Sequence, residues 1–403
     1  LLAAIIVFAI ALRVAAIFVL NRPLESDALS YFTMAKTLAE RGVIIDNFGQ
    51  HAFYSAGYPL LLTPFFMMFG SSVGVALAVN MALTAVSIWL VFRLGVALSG
   101  NFEAGLLAAA VFALWFPGVW NAGVVAKENF STPLLLGLTL CAVAIARVGN
   151  ARRWALMAGL IWGAALITGG SALLLCAGVG MALILLWRKL VRARFAPVAG
   201  AAIWFILGAA IVLTPWLYAT DRMVGRPMLT TNAAFNLYLG NNPAATGRFV
   251  SIADTAMGAD WEATRERLGE VGNADRLQAA AVAWVKDNPE RAGALAVRKL
   301  GYFWEPNVPD AADFTASGTV AAIRVVEVLQ YLVIVVAGVL AFRSRLVARD
   351  GKWVIAAMIV GFWAIHASAY VIARYRDPVI PLLIVMASVP MAAWLRKRVV
   401  RGA

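Results

Sequence analysis

The chain has 403 residues, of which 62% are hydrophobic and 14% charged; no water-soluble domain hides that much apolar surface, so its solvent is lipid. The formal net charge of +13 does not point to nucleic acid, because the arginines stand in short clusters between apolar runs, as orientation signals do. Cys141 and Cys176 both lie inside apolar runs and read as small core residues rather than a disulfide or metal pair.

A hydrocarbon core of about 30 Å needs about 20 apolar residues per helix. In chain order the sequence predicts ten spans, at residues 1–20, 73–98, 104–120, 130–148, 154–168, 171–187, 198–219, 319–342, 353–373 and 378–395. The first has no basic n-region and no small-residue cleavage site, so it is expected to be retained. Leu1 stands where an initiator methionine would, so the native N-terminus is expected to lie upstream. The fifth and sixth spans are short and joined at Thr168, Gly169, Gly170 and Ser171, which predicts a tight hairpin.

Lys and Arg set the sidedness. Arg152 and Arg153 follow the fourth span, and Arg188, Lys189, Arg192 and Arg194 follow the sixth. Arg343, Arg345, Arg349 and Lys352 follow the eighth, and Arg396, Lys397, Arg398 and Arg401 close the chain. With ten spans all four clusters share one face, which is cytoplasmic by the positive-inside rule. The opposite face carries three pieces, at about residues 21–72, 117–129 and 220–318, with most of the acids. Chemistry there is cut off from cytoplasmic ATP and nucleotide sugars, so an enzyme would need a substrate already activated on a membrane carrier.

In the first outer piece, Asp27 stands at the mouth of the first span. Leu29, Phe32, Ala35 and Leu38 follow at helical spacing, with Lys36, Glu40 and Arg41 left for water; this predicts an interfacial helix with Asp27 at its N-cap. Capping and catalysis are compatible roles for that carboxylate. Residues 51–59 are aromatic and turn-rich, and Tyr54 and Tyr58 read either as interface anchors or as platforms for sugar rings. His51 is one of two histidines, too few for a histidine-based metal cluster; His366, inside a predicted span, reads as a hydrogen-bonded interior residue. Lys127 and Glu128 open the fourth span on the outer side, where a carboxylate suits the helix dipole and is also a functional-site candidate.

The large insertion divides in two. Residues 230–247 form a polar loop in which Asn241 and Asn242 offer amides to sugar hydroxyls, or serve as turn residues. Residues 261–271, 274–286 and 289–304 read as short amphipathic helices, with Pro289 at N1 after Asn288 as cap. Arg374 and Arg376, with Tyr375 between them, are the arginines at an outer helix junction in the last third of the chain. Two guanidinium forks there suit phosphate oxygens; Arg222, Arg226 and Arg248 are weaker candidates for the same task.

Asp27 with Tyr31, the Ser-Ala-Gly-Tyr-Pro-Leu-Leu run at 55–61, Lys127 with Glu128, the Asn-Leu-Tyr-Leu-Gly-Asn-Asn-Pro run at 236–243, and Arg-Tyr-Arg at 374–376 occur in that order. Through nearly its whole length the chain thereby resembles the GT-C superfamily of membrane glycosyltransferases, nearest the bacterial relatives of protein O-mannosyltransferases and of the lipid A aminoarabinose transferase. The resemblance implies an all-α polytopic GT-C-like fold of about ten transmembrane helices, with interfacial helices in the first outer loop and a small helical extracytoplasmic cap. It divides the chain into a catalytic membrane module (1–219), an outer loop and cap (220–318) and C-terminal helices (319–403). It further implies an enzyme, in a bacterial inner membrane with its site facing the periplasm or cell exterior. That enzyme moves a hexosyl or pentosyl group from a polyprenyl-phosphate donor to a lipid, glycan or protein acceptor.

Two departures bear on the acceptor. Ser26 and Ala28 flank Asp27, where protein O-mannosyltransferases often carry Asp-Glu, and nothing here could form a lumenal β-trefoil. Under the resemblance Asp27 is the general base and Glu128 a second catalytic carboxylate. Arg374, Arg376 and Lys127 hold the donor phosphate, while Tyr31, His51, Tyr54, Tyr58, Asn241 and Asn242 meet sugar or acceptor. Direct displacement implies inversion. The sequence establishes no cofactor, and a divalent cation between Asp27 and Glu128 is left open. The alternative is a transporter or flippase of lipid-linked sugars, which would show paired repeats and interrupted helices; the sequence shows no such repeat. A non-catalytic assembly subunit would leave Asp27, Glu128 and the outer arginines without a shared task.

Overall fold

The computed structural model describes residues 1–20, 22–147, 150–190, 195–308 and 318–402; Arg192, Arg194, Asp310 and Asp313 lie outside the described residues. Among the described residues the protein is all helix, with no strand beyond one isolated bridge between Arg248 and Val371. The elements are α1 (Leu2–Leu20), α2 (Ser26–Arg41), α3 (Gly57–Phe69), α4 (Val73–Ser99), α5 (Phe102–Ala113), α6 (Phe116–Asn121), α7 (Glu128–Ile145) and α8 (Ala151–Thr168). After a 3-10 turn come α9 (Cys176–Lys189), α10 (Phe195–Val224), α11 (Asn232–Gly240), α12 (Trp261–Asp287), α13 (Pro289–Trp304), α14 (Gly318–Ala341), α15 (Arg349–Ile365) and α16 (Ile380–Gly402).

Seven helices among the described residues are long and apolar enough to cross a bilayer, rather than ten, and the protein is an integral membrane protein. The three expected spans that fall short do so for visible reasons. The stretch 104–120 breaks into α5 and α6 at Trp115, which takes an extended conformation, because Pro117 has no N–H to offer Ala113 O and its ring would clash with that carbonyl in a continuous helix. α8 begins with Arg152 and Arg153, which dilute its apolar run, and the stretch 353–373 stops being helical at Ile365. The expected hairpin also differs: α8 lies along α10 instead of α9. Gly159 and Gly208 permit this, since a Cβ on either would collide with backbone of the facing helix.

The first outer piece holds two short helices. α2 ends where Gly42 adopts a left-handed conformation and donates its N–H to Leu38 O. Its buried stripe is Ala28, Tyr31, Met34 and Ala35, rotated by one position from the expected Leu29 and Phe32. α3 packs on it through Tyr58, Leu62 and Phe66, while Met67, Met68 and Phe69 stay exposed, an apolar edge suited to the lipid boundary. Gly57 anchors the pair, because a Cβ there would meet Thr168 Oγ1 at 2.2 Å. α12 is two helical segments that meet at Gly269, whose φ of +67 breaks the helix a few residues ahead of the expected junction after Val271. α13 starts at Pro289 as expected, although Asn288 makes no side-chain cap.

Candidate active site

The chain enters α2 through strain. Ser26 has φ +52 and is the one non-glycine residue with positive φ among the described residues, a conformation costing about 1–2 kcal/mol. The N-cap is Glu25, without a side-chain bond, and Asp27 lies in the first turn instead of capping it. The carboxylate of Asp27 is therefore available elsewhere. Its Oδ2 accepts from Arg374 Nη2 at 2.5 Å, and Arg374 Nε lies 3.7 Å from Glu128 Oε1. One guanidinium thus bridges two carboxylates that are a hundred residues apart in sequence, from a third element at the far end of the chain. Burial opposes the charge on Arg374, but Glu128 and Asp27 outweigh it and hold the group above its ordinary value. Tyr31 is pushed the same way by burial, reinforced by Glu128 and Asp27.

Glu128 is held by its surroundings. Asn129 donates to the carbonyls of Asn121, Val124 and Ala126, fixing the turn that leads into α7. Buried Asn80 of α4 donates to Ala122 O and Val124 O and accepts from Tyr58 Oη at 2.6 Å. A polar relay thus sets the α7 start against α3. Behind Glu128 lies a chamber of about 40 Å³ lined by Arg13, Asn121, Asn129 and Asp377 among others, large enough for a few waters. Asp377 accepts from Asn121 Nδ2 at 3.1 Å, and burial raises its carboxyl to about 7.

Two larger cavities meet at the bridge. The inner one, about 340 Å³, is walled by Glu128 and by apolar groups such as Leu166, Leu173, Phe362 and Ile365. The outer one, about 320 Å³, contains Asp27, Tyr31 and Tyr54. Ser55, Lys127, Asn232, Asn236, Arg374 and Tyr375 line both. Lys127 makes no ion pair among the described residues, so a free ammonium stands at the junction.

Of the sequence-predicted residues, the structure gathers Asp27, Glu128, Arg374, Lys127, Tyr31 and Tyr54 at these cavities. It places the others elsewhere. Arg376 lines neither cavity; it is buried, donates to Phe303 O and Glu305 O, and sits over the Tyr331 ring at 4.3 Å. Tyr58 is fully buried on Asn80. His51 bonds Ile44 O through Nδ1 and faces a separate groove. Asn241 gives its amide to Leu237 O and Ser368 O and accepts from buried Lys299. Asn242 spends its side chain on its own turn. The weaker candidates Arg226 and Arg248 are paired with Asp275 and Glu305, and neither they nor Arg222 lines either cavity. His366 lines the inner cavity and bonds Phe362 O, as an interior histidine. Between Asp27 and Glu128 the cation is Arg374. Among the described residues no three His, Cys, Asp or Glu side chains converge; two carboxylates already bridged by a guanidinium do not fit a divalent ion.

Sequence reasoning missed Asn232, Trp261, Tyr370 and Glu270. Glu270 is the least legible of them. Its carboxylate accepts from the backbone N–H of His51 and Ala52 and from Thr231 Oγ1, at 2.9, 2.8 and 3.0 Å. It clamps the aromatic loop and the start of α11 together. Asn236 opens the Asn-rich run, so the signal was present one turn earlier than the residues chosen from it.

No protein-family model and no curated protein sequence matches the chain. Solved structures do, as a likeness of fold. The similar structures include the archaeal oligosaccharyltransferase AglB from Archaeoglobus fulgidus in complex with an inhibitory peptide and a dolichol-phosphate. It matches at TM-score 0.55 and 12% identity, over 100% of this chain and 51% of that one. The apo form of the Archaeoglobus fulgidus enzyme matches at 0.53 and 13%, over 96% and 50%. ArnT from Cupriavidus metallidurans bound to undecaprenyl phosphate matches at 0.45 and 13%, over 94% and 77%. The chain spans about half the length of the oligosaccharyltransferases it resembles.

Proposed function

We propose that the protein is a glycosyltransferase that moves a sugar from a polyprenyl-phosphate donor to an acceptor hydroxyl at the outer face of a membrane, with inversion. The observation that carries this reading is Arg374 held between Asp27 and Glu128 where the two cavities meet. The inner cavity, apolar with cations at one end, suits a lipid phosphate; a dolichol-phosphate accompanies the similar AglB. The outer cavity suits the acceptor. Residues 1–219 would supply both carboxylates, 220–318 the roof of the outer cavity, and 319–403 the arginine. With α5–α6, α8 and α15 also crossing, the basic clusters share one face, which favours a cytoplasmic opposite face and a site facing the periplasm or cell exterior.

In this reading the acceptor oxygen attacks the anomeric carbon, forming the new glycosidic bond. The bond from that carbon to the phosphate oxygen breaks, and its electron pair leaves with polyprenyl phosphate. The hydroxyl proton passes to Asp27, whose Oδ1 makes no hydrogen bond among the described residues while Oδ2 is held by Arg374. Arg374 and Lys127 offset the charge on the departing phosphate. Glu128 orients Arg374 and faces the donor sugar.

The test is sugar transfer from synthetic polyprenyl-phosphate sugars to envelope lipid and glycan extracts, by the purified protein and its Asp27→Asn variant. Turnover lost by more than about a thousandfold in a folded variant supports the base role. Equal activity in both removes Asp27 from the chemistry. Lipid-linked sugar crossing liposomes without transfer replaces the enzyme with a transporter.

A further inference from the structure

The outer cavity is walled by aromatic rings in two separate stacks. One runs from the interfacial helix to the roof: Tyr31 to Tyr54 at 5.6 Å, Tyr54 to Phe53 at 5.1 Å, then Phe235 and Trp261 at 5.5 Å steps. The other comprises Phe249, Tyr370 and Tyr375, at 5.2 and 6.0 Å. All eight rings line the same space. Packing does not require this arrangement at the rim, where Phe249 is 53% and Phe48 55% exposed. Both lie outside the helices, and exposed apolar groups at a cavity mouth mark ligand contacts.

Gln50, Ser55, Asn232, Asn236 and Ser251 contribute uncharged donors and acceptors. Of the charges, Asp27 is paired with Arg374 and Glu262 with Arg265 at 2.5 Å, while Lys127, at the junction with the inner cavity, is the cation assigned above to the donor phosphate. An ionic acceptor would have to break one of those pairs or compete with the donor phosphate for Lys127. A bare lipid would leave the Gln50 amide and the free edges of the Asn232–Asn236 pair without partners. A pyranose ring satisfies both features. Its C–H faces carry partial positive charge and pack on the negative faces of aromatic rings, while its hydroxyl rim meets amides and hydroxyls. The volume, about 320 Å³, lies at the lower end of small-ligand sites, about 300–1,000 Å³.

We propose that the outer cavity binds an uncharged carbohydrate ring between its two aromatic walls, so that the acceptor is a neutral glycan presented from the aqueous side. This rests on the glycosyltransferase reading, and the experiment separates the two. Saturation-transfer NMR would be run on the full chain in lipid nanodiscs, with methyl glucoside, galactoside and mannoside and their neutral disaccharides. Donor turnover to water and to each glycoside would be measured beside it. The expected result is transfer from protein aromatics to ring C–H protons for at least one glycoside, undiminished by saturating polyprenyl-phosphate sugar, and transfer of sugar onto that glycoside. Phe249→Ala and Trp261→Ala should each raise its KM roughly tenfold with kcat changed little, and Phe249→Tyr should restore it. Binding abolished by the donor would assign the walls to the donor sugar and overturn the acceptor claim. Donor turnover with no saturation transfer from any neutral glycoside, and transfer onto a peptide or anionic lipid instead, would overturn it while leaving the enzyme standing. Absence of any donor turnover, with glycosides still bound, would remove the glycosyltransferase reading and leave a sugar-binding cavity.

Discussion

Glu270 offers the sharpest test of how the site is assembled. Its Oε1 accepts from Ala52 N and Thr231 Oγ1, and its Oε2 from His51 N. Hydrogen bonds to a charged acceptor are worth about 1.5–3 kcal/mol each; a neutral amide in its place keeps the shape but offers a single acceptor oxygen. Glu270→Gln can retain the two bonds at Oε1 and must turn its NH2 toward the His51 N–H, so one bond is lost, about 1.5–2 kcal/mol. Glu270→Ala loses all three, and with water replacing part of the loss the local cost is about 3–4 kcal/mol. Since 1.4 kcal/mol is tenfold, amide exchange over residues 50–55 should accelerate about tenfold in the Gln variant and a hundred- to thousandfold in the Ala variant. The measurement is hydrogen–deuterium exchange of the nanodisc-embedded protein, read by peptide mass spectrometry, with α4 and α7 as internal references. The clamp also fixes Phe53, Tyr54, Ser55 and Asn232, so acceptor KM should rise in step with exchange. Unchanged exchange in Glu270→Ala, with α4 and α7 still protected, would refute the clamp.

Asp377 has a folded-state carboxyl raised to about 7 by burial, above the ordinary value of about 4. The folded protein therefore holds more protons than the unfolded chain between those values, and stability falls as pH rises from about 4 to about 7. Asp377→Asn should flatten that part of a Tm-against-pH curve, and two parallel curves would exclude it. Lys299 shows the converse: burial lowers its ammonium from 10.5 to about 8, so the folded state sheds its proton first and stability rises between about 8 and 10.5. Lys299→Met should remove that rise and be the more stable protein below pH 8, as read by thermal unfolding in nanodiscs. Ser26→Gly should relieve the left-handed backbone before Asp27 and stabilise by about 1 kcal/mol; a destabilised variant would show that the serine hydroxyl does more than the backbone account allows.

Much of the fold was legible because membrane solvent makes it so. Long apolar runs such as Val73–Ser99 and Leu2–Leu20 leave the backbone no option but helix. The helices depart from the expected spans where local chemistry overrode hydropathy, at Pro117 and at the arginines of α8. In the site, Asp27, Glu128 and Arg374 stood out because an ionisable residue beside a bilayer needs a reason. Their mutual contact was not legible, since nothing local joins residues 27, 128 and 374. Asn241, Asn242 and Arg376 were misread for the same reason. A polar side chain looks equally available in sequence whether it meets a ligand or a buried carbonyl, and only the fold showed Asn241 occupied by Ser368 O and Lys299. Glu270 was one acid among several on an amphipathic helix, and its partners are backbone groups that carry no sequence signal.

The charge count at the junction explains why one arginine should serve two carboxylates. Asp27 and Glu128 contribute −2, Arg374 and Lys127 contribute +2, and the resting site is neutral without any ligand. A donor phosphodiester adds −1 and must find a cation, and Lys127 is the one with no ion pair among the described residues. Arg374, 45% exposed along its side chain, spends Nη2 on Asp27 and sets Nε beside Glu128, so moving the guanidinium as a whole toward the same phosphate loosens one of the two. Loosening Asp27 frees its second oxygen at the moment a base is wanted. Loosening Glu128, at 11% exposure, would leave a carboxylate poorly solvated and is the costlier motion. The geometry thus favours an order in which the phosphate draws Arg374 from Asp27 first, and Asp27, losing its guanidinium partner, becomes the stronger proton acceptor as the donor arrives. A donor analogue carrying lipid and phosphate but no sugar should therefore weaken the Asp27–Arg374 pair on its own. An Asp27 carboxylate signal unchanged by that analogue in isotope-edited infrared spectra would refute the order.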